Sequence, residues 1–61
     1  MSYTAAEKLE AIQREIMMRR AVYGRRVTEN KMTARFAEKQ IGLFEEIAAD
    51  YERLAAQERL L

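Results

Sequence analysis

The sequence contains no cysteine, histidine, proline or tryptophan, and it has only two glycines among 61 residues. Without cysteine or histidine the chain can form neither a disulfide nor a common structural zinc site. A chain this short buries only about 60% of the surface that its unfolded form exposes, so a single copy is marginally stable. Among the usual remedies for small domains, oligomerisation is the one that remains.

No apolar run approaches the roughly 18 residues that a membrane span needs, and no secretory signal precedes the first charged residues. We therefore expect a soluble cytoplasmic protein with no membrane partner. Catalysis has little to rest on, because a glycine-rich phosphate loop is missing and the adjacent Glu45 and Glu46 point in different directions on a helix. The composition predicts a protein that is not an enzyme and holds no cofactor and no metal.

Strong helix formers dominate the composition. Thr4 and Glu7 fit a capping box, in which each side chain accepts a hydrogen bond from the backbone amide of the other residue. Gly24 lies inside the helical pattern, where glycine costs about 1 kcal/mol relative to alanine, and this suggests a close backbone approach, a bend or a contact. A first helix is predicted over about 4–29. Its apolar residues recur at helical spacing at Leu9, Ile12, Ile16 and Tyr23.

A turn is predicted at about 30–33, followed by a second helix over about 34–58. Asn30 is the turn residue best able to adopt a left-handed conformation, and Thr33 is a suitable N-cap. The apolar seam of the second helix has alternating steps of four and three at Ala37, Ile41, Phe44, Ala48, Tyr51 and Ala55. The sequence therefore predicts an all-α fold, a single antiparallel two-helix hairpin over residues 1–61.

Two helices cannot by themselves enclose all the large apolar side chains of this pattern. The least demanding assembly is a dimer of hairpins that forms a four-helix bundle, and higher assemblies remain open. Gly42 is predicted opposite Arg19, where the missing side chain would let the helices close up or make room for an arginine stem. Met17 and Met18 are interpreted as core filler or, alternatively, as an adaptable contact for a partner. The predicted oligomer interface comprises Leu9, Ile12, Ile16, Phe36, Ile41, Phe44, Ile47, Tyr51 and Leu54.

Charge is distributed unevenly, although the net charge is only +1. Residues 14–35 carry seven basic and two acidic groups, whereas residues 36–61 carry three basic and six acidic groups. Five of the eleven basic residues lie between positions 14 and 26. The first region can meet an anion, and the second can meet the basic region of another copy. The predicted ligand- or partner-binding residues are Arg14, Arg19, Arg20, Tyr23, Arg25 and Arg26.

Three interpretations of these arginines are open. They are solvated cations near a helix C-terminus, where each interacts with the helix dipole by about 0.3–1 kcal/mol. Alternatively, Arg19, Arg20 and Tyr23 form a patch that clamps an anion, because the guanidinium fork suits phosphate or carboxylate and tyrosine supplies a flat face. The remaining interpretation pairs the arginines, within or between hairpins, with Glu38, Glu45 and Glu46.

Three stretches of the sequence are distinctive: R-E-I-M-M-R-R-A-V-Y at 14–23, V-T-E-N-K-M-T at 27–33 and A-E-K-Q-I-G-L-F-E-E-I-A-A-D-Y at 37–51. Together they resemble a set of small uncharacterised proteins encoded by phages and prophages of proteobacteria. The resemblance covers most of the chain, from about Leu9 to Tyr51. It implies a short helical hairpin with a Met-Arg-Arg-x-Val-Tyr signature, here Met18 to Tyr23.

The chain departs from these proteins at two positions: Gly24 stands where proline is expected, and Asn30 stands where glycine is usual. The resemblance brings no established activity, but phage proteins of this size often bind and inhibit a host component. Our leading hypothesis is a self-associating binding protein in the cytoplasm of the bacterial host that antagonises host defence. It would sequester an anionic ligand such as a signalling nucleotide, or occlude a surface of a host protein.

Two other classes of function remain open. A small nucleic-acid-binding accessory factor would use the same arginines on phosphates, although a net charge of +1 argues against it because such domains tend to be strongly basic. A structural, bundle-forming assembly adaptor would instead act through its apolar seam.

Overall fold

The computed structural model describes residues 2–60. Helix α1 spans Ala5–Thr28 and helix α2 spans Ala34–Arg59, and the two pack against each other as a hairpin. Within residues 2–60 there is no strand, so the predicted all-α class and the two-helix arrangement are confirmed. The molecule is a rod of 48 × 18 × 15 Å. Neither α1 nor α2 has an apolar stretch of the length that a membrane crossing requires.

Both helices begin at a threonine cap. The Thr4 hydroxyl oxygen accepts from the Glu7 amide at 3.1 Å, and the Glu7 carboxylate accepts from the Thr4 amide at 3.0 Å, which confirms the predicted capping box. These hydrogen bonds, the backbone one first, lower the pKa of Glu7 below its ordinary value because they favour the charged carboxylate. Thr33 caps α2 by accepting from the Phe36 amide at 3.1 Å, as predicted.

Asn30, two residues after the end of α1, lies in the left-handed region with a φ of 58°. The Asn30 amide donates to the Val27 carbonyl at 3.1 Å, and the Lys31 amide donates to the Arg26 carbonyl at 2.8 Å. This pair of bonds is a Schellman motif, which satisfies carbonyls that the last turn of a helix leaves without partners. The prediction that Asn30 closes the first helix is confirmed.

The core between the helices is small. Only Ala5, Ile16 and Ala55 are buried among the described residues. At the open end of the hairpin, the Glu58 carboxylate accepts from the Ala5 amide at 3.0 and 3.1 Å and so joins the start of α1 to the end of α2. The remaining seam residues are partly exposed: Leu9, Ile12, Tyr23 and Val27 on α1, and Ala37, Ile41, Phe44, Ala48 and Tyr51 on α2.

The two glycines do not permit a close approach within the hairpin. Gly24 continues α1 as predicted, yet a Cβ atom added to it would meet nothing within 4 Å, and the same is true of Gly42. The expectation that Gly42 lets the helices close up or receives an arginine stem is therefore wrong for the hairpin itself. The Arg19 side chain lies against Phe44 instead.

Candidate functional site

Arg19 is held by three side chains at the middle of the hairpin. Its Nε donates to a Glu15 carboxylate oxygen at 2.9 Å, and its Nη1 donates to the Tyr23 hydroxyl oxygen at 2.9 Å. The guanidinium carbon lies 4.4 Å from the centre of the Phe44 ring. The hydrogen bond to Tyr23 raises the pKa of the Arg19 guanidinium above its ordinary value. Arg19 therefore combines a stacked plane with fixed donors, the geometry that arginine uses in recognition sites.

Arg20 lies on a different side of the hairpin from Arg19. It forms an ion pair with Glu45 across the two helices, as one of the interpretations of the arginines predicts. It also lines a shallow groove of about 450 Å³ whose floor includes Gly24 and Ile41. Tyr23 lines the same groove. The structure therefore places Tyr23 between the two arginines, with a hydrogen bond to Arg19 on one side and the groove shared with Arg20 on the other.

The other predicted arginines differ in their surroundings. Arg14 is exposed and pairs with Glu10 at 3.0 Å, one turn earlier on α1. Arg25 and Arg26 are exposed in the last turn of α1, and within residues 2–60 no carboxylate lies at ion-pair distance from either. Since Arg14, Arg19 and Arg20 each already contact a carboxylate, Arg25 and Arg26 are the predicted residues that an external anion reaches at least cost.

Charge changes sign along the rod. The loop end, which we define as residues 24–40, carries five basic and two acidic side chains. The terminal end, defined as residues 2–13 and 47–60, carries three basic and five acidic side chains. The middle third contains equal numbers of each. A rod of this kind attracts an anion at its loop end and a cation at its terminal end.

The second feature is an apolar stripe that runs along one side of α2, beside the seam that packs on α1. Its large side chains are exposed, with Phe36 at 50%, Leu43 at 47%, Ile47 at 38% and Leu54 at 45%. We define the apolar stripe by its six positions, which lie at alternating steps of four and three: Phe36, Gln40, Leu43, Ile47, Asp50 and Leu54.

The stripe divides the predicted oligomer interface into two sets. Phe36, Ile47 and Leu54 belong to the stripe, whereas the other six predicted residues face the space between α1 and α2: Leu9, Ile12, Ile16, Ile41, Phe44 and Tyr51.

The oligomer interface predicted from the sequence does not include Leu43, and the two methionines are interpreted there as core residues. Met17 is 72% exposed and Met18 is 62% exposed, so the interpretation of both as core filler is wrong for the hairpin. The sequence does indicate Leu43, because the stripe positions have the same alternating spacing as the α2 seam and each lies one residue before a seam position.

The fold and these surfaces define a class: a two-helix hairpin with an open apolar stripe and opposite charges at its two ends. Comparison of the chain with protein-family models, with curated proteins and with solved structures gave no match.

Proposed function

We propose that the chain is a non-enzymatic binding protein that acts as a dimer of hairpins, a four-helix bundle. The observation that carries the proposal is the open surface of the single hairpin. Its accessible area is 5139 Å², whereas a compact monomer of 7.2 kDa exposes roughly 4,100 Å². The excess of roughly 1,000 Å² is close to the ~800 Å² that each partner buries in a standard interface. The exposed side chains of the apolar stripe contribute part of this area.

The target that we propose is an anionic surface of a host component, and the outcome is inhibition of host defence. The resemblance to phage and prophage proteins supports a host target. The basic loop end supports an anionic one. We place the first contact on Arg25, with Arg26 beside it at the edge of the loop end, because neither pairs with a carboxylate within residues 2–60. The stacked Arg19 with Tyr23 adds a flat, charged surface further along the rod.

The same observations bear on the nucleic-acid-binding factor and on the structural adaptor. A nucleic-acid interface gains little support, because Arg14, Arg19 and Arg20 would each have to leave a carboxylate to reach a phosphate. The structural adaptor is the second candidate, and the exposed apolar stripe favours it. It differs from the binding protein in requiring no arginine.

The experiment is a pull-down of the tagged protein from bacterial lysate, with eluates analysed for protein by mass spectrometry and for nucleotide by ultraviolet absorbance. The wild type is compared with Arg25→Glu/Arg26→Glu and with the matched control Arg53→Glu/Arg59→Glu, which makes the same charge change at the terminal end. We expect one host protein or nucleotide to be retained by the wild type and the control and lost from the loop-end variant.

Equal retention by all three proteins would contradict the role of the loop-end arginines and favour the structural adaptor. Equal loss from both variants would show a general effect of charge and would also contradict it. Circular dichroism of each variant establishes that helicity is unchanged before the comparison is made.

A further inference from the structure

We infer that two hairpins pair in antiparallel orientation through the apolar stripe, with α2 packed on α2 of the second copy and the two-fold axis level with Glu45. This inference rests on the proposed self-association and adds to it the face, the partner helix and the direction. It names a second copy of this chain as the occupant of the stripe.

The stripe lies on one broad face of the hairpin. Its positions precede those of the α2 seam by one residue, which places them about 100° around the helix from the seam. The same displacement on α1 gives Lys8, Ala11, Glu15, Met18, Val22 and Arg26. Met18 is the large apolar residue of this set that is exposed, at 62%. The opposite broad face contains the positions that follow the seams, where Arg20 pairs with Glu45. The large apolar side chains are therefore concentrated on the first face, which we call the stripe face.

The stripe is complementary to itself when it is reversed. Its six positions are symmetric about position 45, so an antiparallel copy places Phe36 against Leu54, Leu43 against Ile47 and, between them, Gln40 against Asp50. Apolar side chains thus meet apolar ones, and the amide meets a carboxylate that can accept its hydrogen bond. Asp50 contacts Arg53 in its own helix through Oδ1, so its second carboxylate oxygen is available for the amide. A two-fold interface requires this kind of self-complementary surface.

The position of Met18 on helix α1 is consistent with the same two-fold axis. Two contacts between the helices, Arg19 with Phe44 and Ala5 with Glu58, join positions whose numbers have the same sum. By that register Met18 is level with Glu45. An antiparallel pair of stripe faces stacks α1 on α1, and Met18 then meets Met18 of the second copy at the axis. A flexible side chain suits a position where two identical residues must pack together.

The parallel arrangement of the same faces lacks this match. It would stack α2 on α1 of the second copy with the loop ends together. At equal heights, Phe36 would then lie against Arg26, and Leu54 would lie against Lys8. Desolvating a charge against an apolar side chain without a partner is unfavourable, so the apolar contacts favour the antiparallel pair.

Charge favours the same direction. In the antiparallel pair each loop end, with five basic and two acidic side chains, covers the terminal end of the other copy, with three basic and five acidic side chains. In the parallel pair the two basic loop ends would lie together and repel each other. Charge complementarity of this kind fixes orientation more than it adds affinity.

Cysteine cross-linking tests the inference, and the absence of native cysteine makes each introduced thiol unique. Two single variants of the full chain, Phe36→Cys and Leu54→Cys, are purified separately, reduced, mixed at equal concentration and oxidised. In the antiparallel pair these positions face each other, so the mixed sample should form a covalent dimer. Neither variant alone should cross-link above background, because equal positions then lie about 27 Å apart along the helix at 1.5 Å per residue.

A matched control uses the opposite broad face. Glu38→Cys and Glu52→Cys have the same symmetric heights about position 45 but follow the seam instead of preceding it, so their mixture should not cross-link. A second pair on the stripe, Gln40→Cys with Asp50→Cys, repeats the test should the loss of Phe36 weaken folding, because equal positions of this pair lie about 15 Å apart along the helix. Sedimentation equilibrium of the wild type and of each reduced mixture gives the mass in solution.

The outcomes separate the two proposals. A monomeric mass for the wild type at all concentrations would overturn self-association and the arrangement together. A dimer in which cysteines at positions 38 and 52 cross-link would contradict the claim that the stripe face forms the interface, while leaving self-association in place. A dimer in which neither stripe pair cross-links on mixing would overturn the antiparallel direction. A dimer with cross-links only in the mixed stripe samples supports the inference.

Discussion

Arg19 occupies a seam position of α1, where an apolar residue would ordinarily lie. The structure accommodates the charge by stacking its guanidinium on Phe44 and directing its donors to Glu15 and Tyr23. The planar group thus covers apolar surface while its edge remains hydrogen-bonded. Arg14 shows the contrasting case, because its pair with Glu10 lies on the exposed surface of one helix.

Replacement of Arg19 by lysine tests the stacking. A lysine keeps the charge but has neither the plane nor the fork of donors, so we expect Arg19→Lys to lower the free energy of unfolding by about 0.5–1 kcal/mol. Urea unfolding followed by circular dichroism measures the change. Arg14→Lys is the control, and it should alter stability by no more than about 0.3–0.5 kcal/mol. Equal effects of the two changes would show that the Phe44 contact contributes nothing.

At the scale of the helices, local chemistry explains where each element begins and ends. The Thr4 and Thr33 caps, together with the left-handed Asn30, define three of the four helix ends. These devices depend on residues within a few positions of one another, which is why the sequence predicts them well. Gly24 is different, because it carries a local cost within α1 although a side chain at this position would meet nothing within 4 Å.

We expect Gly24→Ala to raise the free energy of unfolding by about 0.5–1 kcal/mol, since alanine is a better helix former and the added methyl group meets nothing within 4 Å. Thermal and urea unfolding at one fixed protein concentration measure the effect. The dimer mass should be unchanged, because Gly24 lies away from the stripe face. A loss of stability or of dimer mass would instead place a partner's backbone against Gly24.

The whole molecule is a thin rod with little core, and its stability should therefore depend on association. If the dimer is the stable form, the melting temperature should rise with protein concentration, because dilution favours the dissociated chain. Ile47→Asp should abolish that dependence and lower the melting temperature, since it places a carboxylate in the middle of the apolar stripe.

The matched control for this change is Met17→Asp. Met17 is 72% exposed and does not belong to the stripe face, so the same substitution there should leave the concentration dependence intact. Melting curves across a hundredfold range of concentration make the comparison. A melting temperature that is independent of concentration in the wild type would contradict association.

The sequence by itself determined the two helices, their caps, the turn at Asn30 and the existence of an apolar seam on α2. It determined these because capping, helix propensity and apolar period act between residues that are near in the chain. It also located the arginine-rich segment in the second half of α1.

Only the tertiary structure decided how each helix is rotated toward the other. A seam at 37, 41, 44, 48, 51 and 55 and a stripe one residue earlier both carry apolar side chains, and packing against α1 selected the first set for the hairpin. That rotation left Leu43 exposed beside Ile47, placed Arg19 against Phe44 and brought Arg20 to Glu45. The apolar periodicity of the sequence determines how residues are spaced around each helix. Which of those residues face the other helix depends on how the two helices pack together.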